Sequence, residues 1–143
     1  MESIGRSLDT LGYTDLNYLQ LSFSAMVAAL FLQSGIDKVV HWKGEKAYLT
    51  DHFAKSPLNG FVPVALPVLT TLELGAGAFS AIGFFSVALG QGNAMGLMGM
   101  LFAVKAIFFL FLGQRLAKDY AGAASLVPYF LLCAGGLYFH LQG

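Results

Sequence analysis

Cysteine occurs only once in these 143 residues, at Cys133, so an internal disulfide and a CxxC dithiol exchange centre are both excluded. Cys133 stands in the apolar run Leu131–Leu137, where a lone thiol acts as a small packing hydrophobe. Charge is also scarce: charged residues make up 11% of the chain, whereas a soluble domain carries about 25%. Eight basic and eight acidic residues cancel, leaving no field with which to hold DNA or RNA, so no nucleic-acid partner is expected. His41, His52 and His140 have no Cys or carboxylate at metal-ligand spacing, and none lies in mid-span where haem would need it. There is no phosphate loop and no nucleophile elbow, and Ser24, Ser80 and Ser86 have no His nearby within their own apolar runs. No catalytic residue, metal site or intrinsic cofactor is therefore expected, and the chain reads as non-catalytic by itself.

What is abundant is apolar surface. Hydrophobic residues make up 57% of the chain, more than the core of one small soluble domain can hide, so lipid must cover the remainder. Four runs are long enough to cross a bilayer, which takes about 20 residues: 18–40, 63–89, 94–112 and 122–140. The expected fold is all-α, an integral membrane four-helix bundle of one domain, with an embedded or interfacial first loop. Pro63 and Pro67 fall at the start of the second span, where a missing amide is tolerated. Gln91-Gly92-Asn93 makes a short turn that pairs spans two and three as a hairpin. Asp119 is placed to cap the fourth span, and Pro128 should kink or locally loosen it.

The first loop, HWKGEKAYLTDHFAKSPLNGF, mixes aromatic residues with lysines as interfacial segments do. A short surface helix over 47–55, stopped by Ser56-Pro57, is expected there, with a solvated loop as the alternative. Lys43, Lys46, Lys55, Arg115 and Lys118 share the face of the first and third loops, and Arg6 stands alone opposite, so both termini are expected to point outward. The N-terminal MESIGRSLDTLGYTDLN lacks a basic-then-apolar leader pattern, so the first span should persist in the mature protein. Leu141-Gln142-Gly143 are given no functional weight.

Glu73 and Lys105 carry charge deep inside apolar runs, and intramembrane charge is where function is sought first. Measured from the turn near Gly92, the two differ in depth by about 8 to 9 Å at 1.5 Å per residue, which a long lysine and helix tilt can absorb. Glu73 must be paired, protonated or open to a watered cavity. Three uses remain open: a buried salt bridge that sets helix register, a polar pocket for a headgroup, quinone or small substrate, or a short proton relay. Asp37 and Lys38, at the end of span one, are the other candidates for this site, with Lys38 able to snorkel to the membrane face. Small residues, chiefly Gly35, Gly75, Gly77 and Gly83, suit close helix packing. They can be used up within one bundle or can join two copies into a homo-oligomer.

Phe31-Leu32-Gln33-Ser34-Gly35-Ile36-Asp37-Lys38, in which a Gly is followed three residues on by a Lys, resembles the first-span ending of the DoxX-like membrane proteins. Leu72-Glu73-Leu74-Gly75-Ala76-Gly77, continuing to Gly83, resembles that family's second-span motif, and Lys105 falls where a basic or polar residue is common in its third span. The resemblance implies a four-helix bundle in the bacterial cytoplasmic (inner) membrane, in a family whose relatives are associated with quinol oxidase or thiosulfate oxidation. It suggests an auxiliary or anchoring subunit beside a membrane redox partner, with quinone or lipid as the ligand of a polar intramembrane cavity. A small lipid or solute carrier and a structural assembly factor are the alternatives.

Overall fold

Helix starts and stops follow local chemistry in the computed structural model, which describes residues 14–143. The N-terminal stretch, including Arg6 of the orientation reading, lies outside the described residues. Helix α1 (Asp15–Val40) begins ahead of its apolar run because Thr14 and Asn17 form a reciprocal capping box. His41 ends α1 and at once begins α2 (Trp42–His52), an amphipathic helix with no buried residue. It starts five residues before the expected surface helix and stops three before its expected end, since Phe53 closes it and the Ser56 hydroxyl bonds the Phe53 carbonyl.

Helix α3 (Val62–Ala88) accepts Pro63 in its first turn and carries Pro67 inside. A turn with Gly90 and Gly92 at positive φ, 73° and 93°, leads to α4 (Ala94–Leu116). The oxygen Oδ1 of Asp119 accepts the Gly122 amide at 2.9 Å and starts α5 (Tyr120–Ser125). Pro128 lies in the first turn of α6 (Val127–Leu141), and the fourth crossing is interrupted at Leu126, just ahead of that proline.

Four crossings are long and apolar enough to span a membrane, counting α5 and α6 together, and the chain is a multi-pass membrane protein of all-α class. In cross-section α1 packs on α3, α3 on α4, α4 on α6 and α6 back on α1, with α1 also touching α4 across the centre. The core lies at that centre and is built from Val27, Phe31, Ala76, Met100, Ala103, Ala106, Ile107 and Cys133. Many large hydrophobics, among them Phe85, Val64 and Leu131, remain on the outer surface, as a lipid-facing bundle requires.

Glycines set the interhelical distances. A Cβ on Gly77 would stand 2.8 Å from the Leu32 backbone nitrogen, and one on Gly35 would run 2.6 Å from Leu74, so each glycine receives the leucine of its partner helix. Gly83 lies against the Gly96 backbone and Gly99 against the Ser80 backbone in the same way. Gly75 differs: a Cβ there would make an ordinary 3.6 Å contact with the Phe102 ring.

Candidate functional site

The charged cluster is built from the α1–α3 seam. Ser34 and Lys38 are one turn apart on α1, and side chains lean toward the helix N-terminus, so Lys38 points back into the bundle instead of snorkelling outward. Its Nζ donates to Ser34 Oγ at 3.0 Å and lies 3.1 Å from Glu73 Oε2, while the Ser34 hydroxyl donates to the same oxygen at 3.2 Å. Glu73 is 1% exposed and the Lys38 side chain 15%. The Gly35–Leu74 and Leu32–Gly77 contacts lie immediately beside this cluster and close the helices around it. The carboxylate is thereby buried, and the lysine and serine supply the stabilisation that it needs.

Lys105 is not part of the cluster. The packed pairs Ser80–Gly99 and Gly83–Gly96 fix the hairpin register, and carrying it seven residues further sets Glu73 level with Ala106. The 8 to 9 Å offset read from the turn near Gly92 therefore disappears. Depth is set by where the glycines seat, not by the middle of the turn. Azimuth separates the two charges: Ala106 is 0% exposed and Lys105, one residue and about 100° away, faces outward. Lys105 has no ion pair among the described residues. Asp37 is likewise exposed on α1, and its backbone carbonyl accepts from the His41 amide and lies 3.2 Å from Nδ1 of the His41 ring.

A second polar group went unread in the sequence. Ser24 and His140 are 116 residues apart and both fully buried, with Ser24 Oγ 3.2 Å from His140 Nε2. The other ring nitrogen lies 2.7 Å from the Gly136 carbonyl, which can only accept, so Nδ1 donates there and Nε2 of the neutral ring accepts the Ser24 hydroxyl. Gln20 donates to the Phe139 carbonyl at 3.0 Å and Asn93 to that of His140 at 2.5 Å. These bonds tie the ends of α1 and α6 to the hairpin turn. Ser24 and His140 are both sealed from solvent, and the pair ties α1 to α6. The only sequence signal for it is a histidine closing an apolar run.

The connections at the opposite face also meet. The His52 ring nitrogen Nε2 lies 2.7 Å from Gln114 Oε1 and 3.6 Å from Asp119 Oδ2, joining α2 to the end of α4. Beneath this rim lies a cleft of about 390 Å³ between α2 and its trailing loop, the start of α3 and the end of α4. Neither Glu73, Lys38 nor Lys105 lines it. Among the described residues no three His, Cys, Asp or Glu side chains come close enough to hold a metal ion. In comparisons with known proteins no family model matches the chain, and neither a curated protein nor a solved structure matches it.

Proposed function

We propose that the protein is a non-catalytic membrane subunit that docks beside another membrane protein through the outer face of α4. The observation that carries this reading is Lys105. It lies eleven residues from either end of α4, about 16 Å along the helix from each face at 1.5 Å per residue, in a hydrocarbon layer about 30 Å thick. An outward lysine at that depth costs about 2.5–3.5 kcal/mol in insertion measurements, a cost that a counter-charge on a partner helix would offset.

Met98, Leu101, Lys105, Phe108, Leu112 and Arg115 are all exposed and recur every three or four residues, forming one stripe on which a partner helix can lie. A carboxylate at mid-depth on that helix would neutralise Lys105. A second copy of this chain is a poor source, because Glu73 is buried and paired and Asp37 lies only three residues from the end of α1. The resemblance to DoxX-like proteins supports a quinol-linked redox complex of the bacterial inner membrane as the partner class. The Ser34–Lys38–Glu73 cluster then acts as an internal lock.

Gentle extraction from native membranes tests this reading. A second membrane protein is expected to co-elute with the wild type and with Lys105→Arg, and to be lost from Lys105→Met, while the Tm of the isolated subunit stays unchanged. Elution of all three forms alone, with respiration unaffected by deletion, would overturn it.

A further inference from the structure

The cleft at the α2 end raises a separate question, because its walls are almost wholly apolar and its mouth opens among exposed Val64, Val68 and Phe109, where hydrocarbon is the solvent. An apolar space of this kind does not fill with water. Its inner wall includes Leu66, 2% exposed, and Gly113, where an added Cβ would come 3.5 Å from the Phe53 ring. The absence of a side chain at position 113 lets the Phe53 ring and Leu58 close over that part of the wall. A volume of about 390 Å³ falls in the range of small-molecule sites, about 300–1,000 Å³.

Polarity is confined to one end. The rim carries His52 and Gln114, with Asp119 alongside, and is level with the loops that hold Lys43, Lys46, Lys55, Arg115 and Lys118. The acids at this end are fewer, four (Asp37, Glu45, Asp51 and Asp119) against those five bases, with Lys38 and Glu73 paired inside, so this face carries a small net positive charge. A ligand matching both features has a long apolar chain and an anionic head at the membrane surface.

We propose that the cleft is a binding site for an anionic phospholipid, with one acyl chain lying between α3 and α4 under Phe53 and the phosphate at the His52–Gln114 rim. The amphipathic α2 then serves as a lid over the chain, held to α4 by the His52–Gln114 bond. Lys105 is not part of this site, although Leu112 belongs both to its wall and to the α4 stripe.

Native mass spectrometry of delipidated protein, incubated separately with phosphatidylglycerol, phosphatidylcholine and a ubiquinone, tests the proposal. The wild type is expected to retain one phosphatidylglycerol at least tenfold better than either of the others. Gly113→Leu crowds the wall under Phe53 and Ala65→Phe fills the cleft from an exposed position, and each should lower that retention at least tenfold, Ala65→Phe with little change in Tm. Ala65→Phe decides the matter if Gly113→Leu does not fold. A phosphatidylglycerol carrying a diazirine on its acyl chain should label Leu58 and Leu66 in the wild type. Preference for ubiquinone, equal retention of both phospholipids, or undiminished retention in Ala65→Phe would overturn the assignment.

Discussion

Glu73 could be singled out from the sequence because a carboxylate inside an apolar run is costly wherever the helix turns. Its partner could not. Hydropathy reports depth, and the choice of Lys38 over Lys105 depends on azimuth and register, which close packing at Gly35 and Gly77 decides. The energetics of the lock follow from burial. Lys38→Met leaves a carboxylate sealed in the α1–α3 seam and should destabilise the bundle by about 3–5 kcal/mol, the usual cost of breaking a buried pair from one side. Pairing Lys38→Met with Glu73→Leu removes both charges and should recover much of that loss. Melting curves of the two single variants and the double variant in one detergent form the cycle that measures it. Additive losses would show that the two side chains do not act as a pair. The Ser24–His140 tie was hidden for a related reason: its members come from opposite ends of the chain, and neither has a partner within its own span.

Among the helices, small residues separate into those that set a distance and those that do not. A methyl on Gly77 meets the backbone of α1, so Gly77→Ala must push α1 and α3 apart and loosen the Ser34–Glu73 contact. Gly75→Ala meets only the face of Phe102 at contact distance and gains helix propensity of up to about 1 kcal/mol. Gly77→Ala should therefore lower the Tm and Gly75→Ala should leave it unchanged or raise it, which a thermal unfolding series can read directly. The sequence, in which the two glycines are a single residue apart, does not distinguish them; only the face each presents does. Element boundaries show the same limit. The α1 start depends on the Thr14–Asn17 capping box in a polar stretch, and α2 starts at Trp42 because α1 ends with a one-residue interruption at His41. Asp119 and Pro128 were legible because capping and proline chemistry act locally, and the interruption falls at Leu126, two residues before the proline.

Over the whole molecule, composition and run length were enough for a four-crossing bundle, since few folds other than a membrane bundle accommodate so much apolar surface with so little charge. What they left open is which faces are spent inside the bundle and which remain for others. The structure uses α3 in the middle of the α1–α3–α4 packing and buries Glu73, Ser24 and His140, while the α4 stripe and the cleft beneath α2 stay open at the surface. Lys105 is the charge that distinguishes the stripe from ordinary lipid-facing surface, and its value rests on its lying at mid-depth among lipid chains.

Spin-label accessibility along α4 measures that depth in vesicles. Cys133 is the sole cysteine, so a Cys133→Ala background allows labels to be placed one at a time through Leu101→Cys, Lys105→Cys, Phe108→Cys and Arg115→Cys. The expected profile has the highest ratio of oxygen to water-soluble nickel collisions at position 105, falling steadily to position 115 at the membrane face. Nickel collisions at position 105 as frequent as those at position 115 would place Lys105 in water and contradict both the bundle's orientation in lipid and the docking face built on it.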